Sequence, residues 1–300
     1  MIAPKILFLT GREISSLLSL KDCIEALEDG FRVYAEEDAI KPKLMHVAAN
    51  EGELHIKAGG LKLNKMYLGL KANTGFFGNF ERWGLPNIQG VIMLFDGDLG
   101  CPLACMDSKE ITILRTGGLV AIAAKHLARV NSSVATICGC GNQGQVQLRA
   151  LMQVLPSLQL VFAFDAYPKS AEIFADKLSE ELGIKIEPHS RLEDAATQSE
   201  IVITCTPSKQ YYLLKRFVSQ GTFVAAVGAD SPDKQELEPS LLVGNKVVVD
   251  ILEQCAAAGE LHHALELGLM RETDVYAEIS DIIAGKDDLA LGPKTHAFDV

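Results

Sequence analysis

Six residues raise the first chemical question. Gly139-Cys140-Gly141-Asn142-Gln143-Gly144 carries the spacing GxGxxG. It follows the apolar run Val134–Cys138 and precedes a stretch in which Val146, Leu148, Leu151 and Met152 recur at helical spacing. A strand, a glycine turn and a helix in that order aim free backbone N–H groups at one point, and such a point takes up a pyrophosphate. Gly139 is expected to make the turn, Gly141 to let the backbone approach phosphate, and Gly144 to let helix and strand pack closely, with Asn142 and Gln143 in the same loop. The next apolar run, Leu160–Phe164, ends in Asp165, close to the spacing of about 20 residues at which an acid meets the adenosine ribose. That acid repels a 2′-phosphate, and no arginine follows in Ala166-Tyr167-Pro168. The expected cofactor is therefore NAD (NADH), with NADP less favoured. Thr206 follows another strand end on the same rim and is expected to touch the cofactor.

A second group of residues could handle a small charged ligand. In Glu53-Leu54-His55-Ile56-Lys57-Ala58 strict alternation puts Glu53, His55 and Lys57 on one strand face. Such a face is either solvated or the wall of a polar pocket. Lys71 ends a further strand and precedes a loop rich in Gly, Asn and Pro, where a site is readily built. Arg115-Thr116-Gly117-Gly118 stands at the expected start of an Ala-rich helix, Leu119 to Leu127. There Arg115 offers a planar fork for a carboxylate, and Thr116 is expected to serve the anion of the cofactor. Asp230 follows the apolar run Phe223–Val227, at the strand end where open parallel sheets carry their ligands.

These residues need elements to hold them. Capping boxes at Thr10/Glu13 and Ser19/Asp22 introduce helices, and Cys23, Leu27, Phe31 and Tyr34 mark an amphipathic helix over 20–37, which Pro42 is expected to close. Strands are predicted at 53–58, 67–71 and 91–95. From Ser133 onward strands at 133–138, 158–164, 200–205, 222–227 and 245–249 alternate with helices, the pattern of a doubly wound parallel sheet. The fold class read from this is α/β: a Rossmann-type sheet over 128–300, preceded over 1–127 by an α+β domain.

Composition excludes several classes. The 300 residues are 48% hydrophobic and 22% charged, ordinary globular usage, so a disordered chain, a collagen and a coiled coil are set aside. A net charge of −11 offers no footprint for nucleic acid or an anionic membrane. The N-terminal apolar run is too short for a signal peptide or a span, and a cytoplasmic location is expected. Seven cysteines lack CxxC spacing and no His pair completes a zinc quartet near them, so no metal site is read and the thiols are taken as small apolar residues.

The ordered motifs from Glu53 to Glu260 resemble the ornithine cyclodeaminase/mu-crystallin family. They are Lys71-Ala72-Asn73, Gly84-Leu85-Pro86 with Gly90, Asp107-Ser108, Thr112-x-x-Arg115-Thr116 and Gly139-Cys140-Gly141-Asn142-Gln143. They continue with Val227-Gly228-Ala229-Asp230, Lys234-x-Glu236, Val249-Asp250, Glu253-Gln254-Cys255 and Gly259-Glu260. The resemblance implies a nicotinamide cofactor set against an α-amino or α-imino acid, a substrate domain that also dimerises the chain, and a homodimer. It implies Lys71 as the active-site lysine, Asp230 as the catalytic aspartate, Arg115 as the ligand of the substrate carboxylate, and Glu53 and His55 as pocket residues. Two departures stand out. Lys43 follows Pro42 where members usually carry arginine, which turns a bidentate clamp into a point charge, and the final helix expected after Phe298-Asp299 is missing before Val300. Three readings follow: an amino acid dehydrogenase or cyclic imine reductase, a cyclodeaminase converting ornithine to proline plus ammonia, or a ligand-binding protein like mu-crystallin.

Overall fold

The computed structural model describes residues 5–36, 38–286 and 295–300. The chain forms two compact units that divide between Arg115 and Thr116.

The first unit is built on a six-stranded sheet. Its elements are β1 (Leu7–Leu9), α1 (Gly11–Leu17), α2 (Leu20–Ala35), β2 (Ala39–Ala49), β3 (Gly52–Lys62), β4 (Met66–Gly75), α3 (Asn79–Trp83), β5 (Ile88–Asp96) and β6 (Pro102–Asp107). The strand order is β1-β6-β5-β4-β3-β2, antiparallel except for the parallel β1–β6 pair. Both capping boxes are formed, Thr10 with Glu13 and Ser19 with Asp22, satisfying N–H groups that open helix ends leave unpaired. Helix α2 stops at Ala35, and the chain resumes as an edge strand that contains Pro42. Proline lacks a donor, so it sits where the β2–β3 register shifts between Ile40 and Lys43 rather than in a helix-ending loop. The expected strands are each longer than the alternation suggested, because the β3–β4 ladder runs unbroken from Glu53↔Gly75 to Lys62↔Met66.

Helix α4 (Ser108–Leu127) follows β6, and the unit boundary falls inside it. It starts at Ser108, so Arg115–Gly118 lie within its body rather than at its N-terminus. The expected anion site of free N–H groups at Arg115-Thr116-Gly117-Gly118 is therefore absent, because those N–H groups fall inside the helical ladder. Gly117 is there for packing: a Cβ would come 2.5 Å from Val146 Cγ1.

The second unit carries an eight-stranded parallel sheet. Its elements are β7 (Val134–Cys138), α5 (Asn142–Val154), β8 (Leu160–Phe164), α6 (Pro168–Leu182), β9 (Lys185–Pro188), α7 (Leu192–Thr197), β10 (Ile201–Thr204), β11 (Phe223–Ala226), β12 (Lys246–Val249), α8 (Leu252–Ala257), α9 (Glu260–Glu266), β13 (Ala277–Glu278), α10 (Ile279–Ile283) and β14 (His296–Asp299). The order β9-β8-β7-β10-β11-β14-β12-β13 is the Rossmann order on its first side, with the chain order reversing between β7 and β10. All five strands expected after Ser133 are present. β14 inserts between β11 and β12, and its strands bury Val224, Val247, Val248 and Phe298 at 0% exposure. Central parallel strands covered on both faces read as continuous apolar runs, which is why this half was legible from sequence.

Candidate active site

In the first unit, cross-strand pairing decides which side chains share a face. Lys57 opposes Lys71, and His55 opposes both Asn73 on β4 and His46 on β2. Directly opposed residues point to the same side. His46, Glu53, His55, Lys57, Lys71 and Asn73 therefore share one polar face. Glu53 bridges two rings: one carboxylate oxygen lies 2.9 Å from His55 Nε2 and the other 3.1 Å from His46 Nε2. These hydrogen bonds, that to His55 foremost, hold the Glu53 carboxyl below its ordinary pKa. Helix α2 lies over the same face at the Leu61 end, where Gly30 approaches Leu61. Lys43 pairs with Ala58, so it stands on the opposite face from Lys71. Arg115 is half-buried and acts on Cys23 of α2: burial pushes that thiol up and the guanidinium pulls it back.

In the second unit, the glycine turn has the form its spacing predicts. Gly139 takes φ 100°, a conformation open to glycine, and a Cβ on Gly144 would run into the Gly139 carbonyl oxygen. At Gly141 a Cβ would meet nothing within 4 Å, so the backbone there is open to an approaching group. Asp165 is pinned by two backbone donors, Cys140 N–H at 2.8 Å and Tyr167 N–H at 2.9 Å. Gln143 Oε1 is buried with no hydrogen-bond partner among the described residues, an acceptor that a bound polar group would satisfy. These features fit a dinucleotide: an open cradle at a helix start, an orphaned acceptor and an oriented carboxylate. Thr116 is buried within α4.

Thr206 is held from beneath by a residue that sequence reasoning left without a role. Glu236 is fully buried, and its Oε1 accepts from Thr206 N–H at 2.6 Å, Thr206 Oγ1 at 2.7 Å and the Tyr212 hydroxyl at 2.7 Å. Its Oε2 accepts from Gly228 N–H at 2.8 Å. One carboxylate thus ties the loop after β10 to the loop after β11, and the second loop carries Asp230. Burial pushes the Glu236 carboxyl upward, and the same hydrogen bonds oppose that rise. Behind it, Glu260 accepts from the N–H groups of Glu236 and Leu237, and Asp299 accepts from those of Glu260 and Leu261. Burial first, then the neighbouring Asp299, raises Glu260 to about 9, and burial raises Asp299 to about 7. Asp230 itself is exposed and paired with Lys234. The Lys234-x-Glu236 spacing was the available signal for Glu236, but nothing in it says that the acid points inward.

The profile of the ornithine cyclodeaminase/mu-crystallin family matches residues 5–294. The chain belongs to that family. It is 38% identical to the alanine dehydrogenase of Archaeoglobus fulgidus over 94% of this chain and 85% of that one. It is 30% identical to the iminosuccinate reductase of Paracoccus denitrificans over 94% and 87% of the two chains. Among solved structures, an archaeal alanine dehydrogenase dimer with bound NAD superposes with a TM-score of 0.92 at 37% identity, covering 98% of this chain and 90% of that one. The Thermococcus litoralis Delta(1)-pyrroline-2-carboxylate reductase, in complex with NADH and L-proline, superposes at 0.91 with 28% identity, covering 98% and 91%. The Rossmann-type assignment rests on these likenesses together with the parallel sheet order.

Proposed function

We propose that this chain is an NAD-dependent oxidoreductase that acts at the C–N bond beside the carboxylate of a small α-amino or α-imino acid. The observation that carries the reading is the glycine turn, with its open backbone at Gly141 and Asp165 oriented by two N–H groups. The dehydrogenases and reductases named above, two of them solved with NAD or NADH, support it. NADH held by Gly139–Gly144 and Asp165 would supply the hydride for such a reduction. Gly139–Gly144 cradles the pyrophosphate, and Asp165 accepts from the adenosine ribose. Arg115 holds the substrate carboxylate with its planar fork. Lys71 handles the proton at the substrate nitrogen, with Glu53 and His55 lining the same polar face. Asp230 stabilises the positive charge of the iminium or ammonium.

A homodimer is part of this reading. β2 is an edge strand of eleven residues, and Ile40, Leu44, Met45 and Val47 are exposed along it at 49%, 55%, 53% and 46%. A long apolar edge invites cover by another chain. The alanine dehydrogenase solved with NAD is itself a dimer. Light scattering on the purified protein tests this directly.

The activity test is an NADH-consumption screen over cyclic imino acids, and over 2-oxo acids with ammonia. Turnover on at least one carboxylated imine is the expected result. Release of proline and ammonia from ornithine without accumulated NADH would identify a cyclodeaminase instead. Cofactor binding with no turnover across the panel would overturn the enzymatic reading.

A further inference from the structure

The polar face of the first unit holds a group whose arrangement exceeds what substrate contact requires. His46 and His55 are direct partners in the β2–β3 ladder, so the backbone itself sets their side chains next to each other. Their rings lie 4.7 Å apart at an interplanar angle of 42°. Both Nε2 atoms converge on Glu53, at 3.1 Å and 2.9 Å, one on each carboxylate oxygen. One ligand atom from each of the three residues falls within 4.8 Å of the others.

We propose that His46, Glu53 and His55 form a binding site for a divalent transition-metal ion of the zinc class. Two imidazoles and a carboxylate are a donor set that zinc takes up with a fourth position left for water. With zinc–ligand bonds of about 2.0–2.2 Å in a tetrahedron, ligand atoms stand about 3.3–3.5 Å apart. The two observed N···O separations, each to its own carboxylate oxygen, are a few tenths of an ångström shorter than that, and the three ligand atoms lie within 4.8 Å of one another, a spread that side-chain rotations can bring onto one ion. The side chains are 53%, 34% and 44% exposed, which leaves the fourth position open to solvent. Cys138, Cys140 and Cys255 are buried and burial keeps their thiols protonated, while Cys101 and Cys105 are partly buried, so a cobalt spectrum is what separates this site from a thiolate one. The proposal does not depend on the enzymatic reading. If that reading also holds, an ion at this site withdraws Glu53 and His55 from the substrate and inhibits turnover.

The test uses the full-length protein, freed of metal by chelation and kept without cofactor. Zinc chloride is titrated calorimetrically, and cobalt(II) is added in parallel with its visible spectrum recorded. One saturable zinc site is expected, with a cobalt spectrum lacking the strong near-ultraviolet bands of thiolate ligation. His46→Ala and Glu53→Gln should each weaken zinc binding by at least about tenfold, and circular dichroism establishes that both variants are folded. An absence of saturable binding overturns the proposal. So does affinity unchanged in folded His46→Ala, or a thiolate spectrum that places the ion on cysteine. Metal binding by a protein that shows no oxidoreductase activity when metal-free and supplied with NADH supports the site while refuting the enzyme; activity without metal binding does the reverse.

Discussion

Replacing Asp165 by asparagine removes one charge at the point where NAD and NADP differ. Asp165 is half-exposed, and its carboxylate is fixed toward the glycine turn by Cys140 N–H at 2.8 Å and Tyr167 N–H at 2.9 Å. A 2′-phosphate would lie within about 4 Å of a carboxylate that binds the ribose hydroxyls. Two unit charges at that distance repel by about 1 kcal/mol in water and about 4 kcal/mol at an effective dielectric of 20. Half exposure places the site between these limits, and about 2 kcal/mol corresponds to roughly 30-fold in affinity. The unaltered protein should therefore bind NADH at least about 30-fold more tightly than NADPH. In Asp165→Asn the electrostatic part of that gap vanishes, and the two cofactors should come within a few-fold of each other. NADH itself should weaken by about tenfold, since a charge-assisted hydrogen bond becomes a neutral one. The amide can accept from only one of the two N–H groups that the separate carboxylate oxygens now satisfy, so a thermal melt first establishes that the variant stays folded. Fluorescence titration of both cofactors against both proteins is the assay. Equal or tighter NADPH binding by the unaltered protein would refute the reasoning.

Gly144→Ala should abolish NADH binding and lower stability by about 1–3 kcal/mol, because the new methyl collides with the Gly139 carbonyl; a denaturant melt and a cofactor titration read both effects. Lys71→Ala and Asp230→Ala should each lower kcat at least about a hundredfold while NADH affinity stays nearly constant, and near-normal turnover in both would make these residues structural. Glu236→Gln leaves the hydrogen-bonded loops with a mismatched amide, and it should weaken NADH and lower kcat together, as expected if the carboxylate positions both Thr206 and the Asp230 loop. Asp299 and Glu260 have folded pKa values raised to about 7 and about 9, above their ordinary 3.8 and 4.5. Their contribution to stability is thus complete only below about pH 4 and is lost progressively as pH rises from there, up to about 7 for Asp299 and about 9 for Glu260, so the melting temperature should fall across that whole range and fall less between about pH 4 and 7 in Asp299→Asn. A flat profile between neutrality and pH 9 would contradict this assignment.

How much of this was legible beforehand depends on whether a residue's role is local. The glycine turn is local: Gly139 needs a positive φ and Gly144 a close approach, and both demands fall on residues within one strand–turn–helix unit. The parallel strands β7, β8, β10, β11 and β12 were readable because burial on both faces makes them continuous apolar runs. Strand β2 was not readable, since Pro42 signals a break in any local reading and only pairing with β3 makes an edge strand of it. With β2 unseen, His46 had no neighbour, and its placement against His55 and Glu53 came entirely from register. The face of Lys43 was decided the same way, by its pairing with Ala58 beyond the register shift. Arg115 shows the complementary failure: two glycines after it look like a helix start, yet α4 begins at Ser108 and Gly117 serves contact with Val146. Glu236 and Glu260 carry no sequence sign of being inward, because an acid's burial depends on which distant N–H groups reach it. The sequence by itself determined the cofactor turn, the parallel sheet and the residue types available for chemistry. Tertiary structure alone decided which of those residues share a face, since strand register and buried hydrogen bonds are set by partners far away in the chain.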